Sequence, residues 1–237
     1  MVGEIIIMSD AKYKLYYIAF LDILGFKSIV NSNDAFYIHN IFNKIRLAKK
    51  FVKKDRAGKI KEETKFYFFS DSIVCAIPVD EENALASLAS NCMLIQHALW
   101  SEAGPIWVRG AIVKGLLYCG NGEVFGPGLN EAYKLEENLA VYPRIIMTKS
   151  TFETGLDESF PKDCMDFVID TPDGLKMINT LAYPCVFDPE IIKLQIINTL
   201  NSETDQRIRD KYLWMRDYFN SFVTHDSPHK AFQTKIE

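Results

Sequence analysis

The sequence predicts an α/β fold with one main domain, and three observations carry that prediction. Short apolar runs alternate with longer segments whose apolar residues recur every three or four positions. Glycine, proline and charged residues fall between them. Hydrophobic residues make up 48% of a 237-residue chain, enough to fill a substantial core. The elements read in the order strand, helix, hairpin, helix, strand, helix, strand, with a helical pair at the C-terminal end.

Each element has a local reason. YYIAFL (16–21) is apolar throughout, as in a strand covered on both faces, and it runs into an acid, Asp22. Over 33–54, Phe36, Ile41, Phe42, Ile45, Ala48 and Phe51 recur at helical spacing behind Asn or Asp caps, so a short loop and a long helix should follow the strand. The charged stretch 53–63, with Gly58, reads as a solvated connection. Apolar runs at 66–69 and 73–77 are separated only by Ser70-Asp71-Ser72, which predicts a tight hairpin with an acid at its turn.

Residues 81–100 are helical by the spacing of Leu85, Leu88, Cys92, Ile95 and Leu99, and 106–118 is strand-like with breaks at Gly110 and Gly115. The Gly-rich stretch 120–130 delivers the chain to a helix over 129–140, and Pro143 precedes a short strand over 144–148. Beyond Thr151 the pattern weakens: Pro161, Pro172 and Pro184 punctuate strand candidates at 165–169 and 175–178, before helices over 188–200 and 204–223. Tyr212, Met215, Tyr218 and Phe219 form the apolar stripe of the last helix, which suits a core or a dimer interface. From about His225 the chain is polar and expected to be loose.

Composition excludes several function classes. A net charge of -4 and a pI near 5.7 provide no broad cationic field for nucleic acid. The cysteines Cys75, Cys92, Cys119, Cys164 and Cys185 are odd in number and widely spaced, unlike a disulfide framework or a zinc motif, and fit a reducing cytoplasm. The apolar run at 5–8 is too short for a signal peptide, and no segment approaches the roughly 20 apolar residues that span a bilayer. No GxSxG elbow and no Cys–His pairing appear, and His39 and His97 have no partner at metal-ligand spacing.

The chemistry concentrates on two acids. Asp22 ends the first strand and Asp71 sits on the hairpin turn; if those strands are neighbours, both carboxylates emerge at one edge of the sheet. Hard cations such as Mg²⁺ or Mn²⁺ take one or two carboxylates and complete their shells with phosphate oxygens and water. A pair of such ions stabilises the attacking and leaving oxygens of a displacement at phosphorus. The loop Ile23-Leu24-Gly25-Phe26 would aim backbone N–H groups at the same place, with Gly25 allowing close approach. Read singly, Asp22 is equally a cap acid and Asp71 a turn acid of the kind hairpins favour.

Taken in order, FLDILGF (20–26), FFSDSIVCAIP, VRGAIVKG and FGPGLNEAYKLE resemble the metal motifs, strand and nucleotide-binding helix of the class III nucleotidyl cyclase catalytic domain, over about 14–150. The resemblance implies a ferredoxin-like βαββαβ core, a catalytic domain over 14–187 and a C-terminal helical extension over 188–237. It also implies two ions, Mg²⁺ or Mn²⁺, held by Asp22 and Asp71 with the Ile23 carbonyl, and a triphosphate cradled by Leu24, Gly25 and Phe26. Asn130 matches the ribose-orienting Asn. The implied reaction is attack of the ribose 3′-oxygen on the α-phosphorus, releasing pyrophosphate and closing a 3′,5′-cyclic nucleotide. The implied assembly is a homodimer, each site taking metal acids from one subunit and Asn130 from the other.

The departures from that family are informative. Lys134 stands where the family carries a transition-state Arg, and a lysine lacks the bidentate fork. Arg144 is then either the replacement guanidinium or a solvated strand-edge arginine. Tyr67 stands where adenylate cyclases carry an adenine-reading Lys, and Glu123 occupies the partner acid position. With SDS in place of GD, these features resemble the bacterial pyrimidine cyclases of the Pycsar antiphage systems. That resemblance implies UTP as substrate and cyclic UMP as product, with a separate cyclic-nucleotide receptor as effector. Cytidylate cyclase is the close alternative, adenylate or guanylate cyclase stands behind it, and a catalytically inactive nucleotide-binding module is the alternative from another class. Alternation puts Tyr67 and Phe69 on one face of their strand and Phe66 and Phe68 on the other. Lys114 reads as a phosphate contact or as a strand-edge lysine in water.

Overall fold

The computed structural model describes residues 11–48, 64–100, 105–158, 160–182 and 187–237. The run at 5–8, the connection at 53–63, the far end of the helix expected to reach 54, Pro184 and Cys185 lie outside the described residues. The chain is a mixed α+β fold built on an eight-stranded sheet ordered β2-β3-β1-β4-β6-β8-β7, with β5 paired to β4.

The apolar run around 16–21 becomes β1 (Lys14–Ile23), the centre of the sheet. It pairs antiparallel with β3 (Ser72–Pro78) on one side and β4 (Val108–Gly120) on the other, which explains why it is buried on both faces. β2 (Lys65–Phe69) joins β3 through the expected hairpin. With α2 (Ala35–Ala48) between β1 and β2, and α3 (Ala84–Trp100) between β3 and β4, these elements complete βαββαβ in the order β2-β3-β1-β4, the ferredoxin-like arrangement. β6 (Ile145–Met147) then pairs parallel with β4, and β8 (Lys176–Ile178) and β7 (Val168–Asp170) extend the sheet beyond it.

The two faces differ. Odd residues of β1 (Tyr17, Ala19, Leu21, Ile23) meet Ile41 and Ile45 of α2 and the apolar stripe of α3 in one core. Even residues (Tyr16, Ile18) meet Val74, Ala76 and Val113 under α4 (Pro127–Leu139). A Cβ added at Gly115 would come within 2.6 Å of the Gly128 Cα, so glycine is what lets α4 lie directly on β4. Beyond α4, α6 (Pro189–Ser202) and α7 (Gln206–Asn220) bury Ile192, Ile196, Met215, Tyr218 and Phe219 against Ala111, Ile146 and Met177 of the sheet. The stripe on the last helix therefore belongs to the core.

Several expectations are corrected. β1 is followed not by a loop and one long helix but by α1 (Phe26–Ser32) and then α2, because Gly25 takes a left-handed conformation, φ 73°, that starts a helix at once. Within the Gly-rich stretch Glu123–Phe125 forms β5, and Lys149–Asp157 forms α5, whose Thr148 cap accepts from the Thr151 amide. The strand expected at 165–169 starts at Val168, after a 3-10 turn over Lys162–Phe167. The tail expected to be loose is anchored: Ala231, Phe232 and Ile236 are buried, and Asn220 exchanges two hydrogen bonds with the Ile236 backbone.

Candidate active site

Asp22 lies at the end of β1, opposite Ser72 on one side and Arg109 on the other. One residue further, the Ile23 N–H donates to the Asp71 carbonyl at 2.9 Å, so pairing of β1 continues into the hairpin turn. The two acids expected at one sheet edge therefore stand on adjacent chain segments there. The turn is tight, with Phe69 opposite Ser72, and Ser70 holds φ 56°, a left-handed conformation uncommon for a residue with a side chain. Local strain is thus concentrated beside Asp71.

The electrostatics bind three elements together. Arg109 Nε donates to Asp22 Oδ2 at 3.2 Å and lies 2.7 Å from Glu136 Oε1 on α4. Only the first contact is a hydrogen bond; the second is an ion pair without that geometry, and Glu136 Oε1 is buried without a hydrogen-bond donor. Burial pushes the Asp22 carboxyl above its ordinary value; Arg109 pulls it back, the Asp71 charge pushes it further, and Lys211 of α7 pulls it down slightly. Glu136, only 2% exposed, is raised to about 7 by burial, with Arg109 opposing and Asp22 and Asp71 adding.

The other expected residues fall as follows. The Leu24 N–H is spent on the Trp107 carbonyl at 2.8 Å, so the three-residue cradle is corrected: Gly25 and Phe26, at the start of α1, are left to offer amides. The Leu24 side chain packs against the core cluster that includes Trp107, Ala111 and the buried residues of α6 and α7, and the Phe26 ring is buried. Asn130 and Lys134, one turn apart, are exposed on α4, away from the stripe Gly128, Ala132 and Glu136 that faces the sheet. They do not converge on the acids of their own chain.

Arg144 is buried at the start of β6. It pairs with Asp173 at 2.5 Å and donates to the Leu139 carbonyl at 3.2 Å, tying α4 to the turn between β7 and β8. Its reading as a solvated edge arginine is thereby corrected, and its guanidinium holds the Asp173 carboxyl down to about 2. Lys114 pairs with Glu158 and sits over Tyr17, on the face of β1 opposite Asp22. Tyr67 packs with the cluster under α4, the face that carries Asp22, while Phe66 and Phe68 pack on the other. Its hydroxyl bonds the Cys119 thiol, and burial pushes it up to about 12. Cys119 lies in the β4–β5 hairpin, which also carries the exposed Glu123. His39 is exposed on α2, and His97 is buried.

Sequence reading missed Arg109 and Glu136. Arg109 was visible as the residue facing Asp22 once β1 and β4 pair, and Glu136 as the one acid on the i, i+4, i+8 buried stripe of α4.

Among the described residues no three His, Cys, Asp or Glu side chains gather into a metal-binding group. A two-carboxylate edge suits an oxygen-seeking ion that fills its shell from phosphate and water; it does not suit zinc, which asks for three or four protein ligands. Asp22 and Asp71 are the residues that fit.

No family model and no curated protein matches the sequence. Solved structures do. The monomeric guanylyl cyclase domain of the RhoGC fusion protein from the aquatic fungus Blastocladiella emersonii aligns with a TM-score of 0.51 at 15% identity, over 71% of this chain and 96% of that one. The guanylate cyclase domain of RhGC from Catenaria anguillulae, in complex with GTP, aligns at 0.48 and 15% identity, over 71% and 96%. The first of these shows that the chain has the nucleotidyl cyclase catalytic-domain fold. Among the described residues no helix is long and apolar enough to cross a membrane.

Proposed function

We propose that the protein is a divalent-metal-dependent nucleotidyl cyclase of the class III type, acting on a pyrimidine nucleoside triphosphate. The observation that carries this reading is the backbone pairing of Ile23 with Asp71, which brings the chain segments of Asp22 and Asp71 together at one sheet edge within a cyclase fold. Divalent ions held there by Asp22 and Asp71, with the Ile23 carbonyl, would acidify the ribose hydroxyl and offset phosphate charge. The chain's own residues supply the rest. Amides of Gly25 and Phe26 receive phosphate oxygens, and Tyr67 meets the base. Asn130 and Lys134, exposed and turned away from their own acids, suit delivery to the site of a second copy, Asn130 orienting the ribose and Lys134 meeting charge on the α-phosphoryl group. In the reaction the 3′-oxygen bonds to the α-phosphorus, the bond to the bridging oxygen breaks, pyrophosphate leaves and the hydroxyl proton passes to solvent.

UTP is the favoured substrate and cyclic UMP the favoured product, a second messenger for antiphage defence read by a separate receptor. CTP, which differs by an amino group in place of O4, is the close alternative. Support for a pyrimidine comes from Tyr67, which faces the same side of the sheet as Asp22 and offers a ring where an ammonium would read adenine. The deciding experiment incubates the protein with each of the four nucleoside triphosphates and Mn²⁺ and assays pyrophosphate and cyclic product. Turnover of UTP or CTP is expected. ATP as sole substrate overturns the pyrimidine assignment, and no turnover with any of the four leaves the fold a nucleotide-binding module.

A further inference from the structure

One N–H of Arg109 stands between two carboxylates. Arg109 faces Asp22 across the register of β1 with β4, and α4, which lies on β4 where Gly115 meets Gly128, brings Glu136 along its sheet-facing stripe to the same guanidinium. The Arg109 Nε–H is given to Asp22 Oδ2 at 3.2 Å, while Glu136 Oε1, nearer at 2.7 Å, receives no hydrogen bond. Nε carries a single N–H and cannot satisfy both acids at once. The two acids are also unequally solvated, the Asp22 side chain being 21% exposed and that of Glu136 only 3%. The acid that water can reach therefore holds the hydrogen and the buried one is left short, the reverse of what desolvation favours.

We propose that Glu136 is a positioning residue for the metal site: it takes the Arg109 N–H when a divalent ion claims Asp22, so that Asp22 is released to the ion by the exchange of one hydrogen bond. The proposal rests on the reading of Asp22 as a metal ligand and deepens it. A carboxylate oxygen committed to a guanidinium competes with coordination, and a guanidinium held against that carboxylate repels the incoming ion. Both costs fall when Arg109 turns to Glu136, because that acceptor already stands within reach, is already desolvated and lacks a donor. No proton moves and no covalent bond breaks; Nε–H···Oδ2 gives way to Nε–H···Oε1. Arginine suits the exchange because it stays charged throughout and each N–H of its planar fork has one fixed direction, so a change of partner is a change of orientation. Partners of ligating groups act on metal affinity without touching the ion, by about ten- to a hundredfold.

The test titrates the full chain with Mn²⁺ alone and reads binding from the loss of the free-ion EPR signal, at a pH of about 8 so that Glu136, raised to about 7, is ionised. Glu136→Gln should bind the ion about tenfold more weakly than wild type, and Arg109→Met, which removes the competing guanidinium, about threefold or more tightly. In the Arg109→Met background Glu136→Gln should alter the affinity by less than about twofold, since the effect of Glu136 passes through Arg109. Equal losses on Glu136→Gln in both backgrounds overturn the proposal, because Glu136 then acts only as a distant charge. An unaltered affinity in Glu136→Gln overturns it too, and so does weaker binding by Arg109→Met, the mark of an arginine that orients Asp22 for the ion. If thermal melts show that Arg109→Met does not fold, the Arg109 Nε–H resonance decides, assigned by its absence from Arg109→Lys. At saturating Mg²⁺ it should shift in wild type and stay nearly still in Glu136→Gln; equal shifts in the two, or none in either, overturn the proposal. All these outcomes leave the cyclase reading standing, whereas a wild type that binds no Mn²⁺ overturns both.

Discussion

The two faces of the central sheet carry different work. On one, odd residues of β1 and the stripes of α2 and α3 make a core whose members are almost wholly aliphatic or aromatic. On the other, the same strand carries Tyr16, Ile18 and Phe20 and then, at its end, Asp22 linked to Arg109 and Glu136. One strand therefore serves both: its alternation separates an apolar face from the face that carries the proposed catalytic carboxylate, and its burial on both sides holds that carboxylate still. Desolvation makes the contrast costly, because charges at a half-buried edge are stabilised only by each other and by what binds there.

The sharpest way to break this contrast is Asp71→Asn. If the second face is functional, turnover should fall by a factor of about 10³ or more, some 4 kcal/mol of transition-state stabilisation. The melting temperature should stay put, since the substitution removes a charge that repels Asp22 and leaves the backbone carbonyl that receives the Ile23 amide. An unfolded variant would mean that the edge is structural after all. The opposite experiment is Leu88→Ala, in the centre of α3 and fully buried. Its truncation should cost about 3 kcal/mol of stability by denaturant titration, while the protein that remains folded keeps its rate.

The order of strands and helices was legible because each element of the core declares itself by period: the β1 run, the hairpin at Ser70-Asp71-Ser72, and the α3 stripe all stand where the pattern put them. So was the placement of Asp22 and Asp71 at one edge of the sheet, acids at the ends of apolar runs. What was not legible is what depends on pairing between distant segments. Arg109 meets Asp22 only through the register of β1 with β4, and Met215 and Phe219 meet Ala111 and Ile146 only because α7 folds back over the sheet. Leu24 illustrates the same limit within a motif: its amide seemed available until the strand beside it claimed the hydrogen. The loose tail failed for a related reason, since Phe232 and Ile236 are too few to show a period and are held by Asn220, 16 residues before Ile236.

A third test moves to the boundary between sheet and C-terminal helices, where His97 is buried among Trp100 and Phe187. One ring nitrogen donates to the Thr180 carbonyl at 2.6 Å and the other has no partner, so the neutral ring fits and the imidazolium does not. Burial lowers its pKa to about 4. A group whose folded value is depressed below the unfolded one, about 6.5, contributes stability in full above 6.5 and loses it as pH falls toward 4. Unfolding free energy should therefore drop by about 2 kcal/mol between pH 7 and pH 5 on this account, and His97→Gln should flatten that slope. An unchanged slope in the variant would assign the acid sensitivity to other groups.

The smallest effect expected, and the one that most sharpens the line between the two faces, belongs to Tyr67. Its ring lies on the face that carries Asp22 but also packs with Tyr16, Val74 and Ala76, so it stands on both sides of the comparison. If the ring stacks on a base, Tyr67→Ala should lower kcat/KM for the nucleotide about tenfold, near 1.4 kcal/mol and within the range of a single stacked base. Tyr67→Phe separates the ring from its hydroxyl, which is already engaged by Cys119. A Phe variant within about threefold of wild type, beside an impaired Ala variant, identifies stacking as the source of base recognition. Equal losses in both variants would identify the hydroxyl instead and make Cys119 its partner in the site. If neither loses activity and Tyr67→Ala only melts earlier, Tyr67 is core, and the reactive surface of the sheet contracts to the row of Asp22, Asp71 and Arg109.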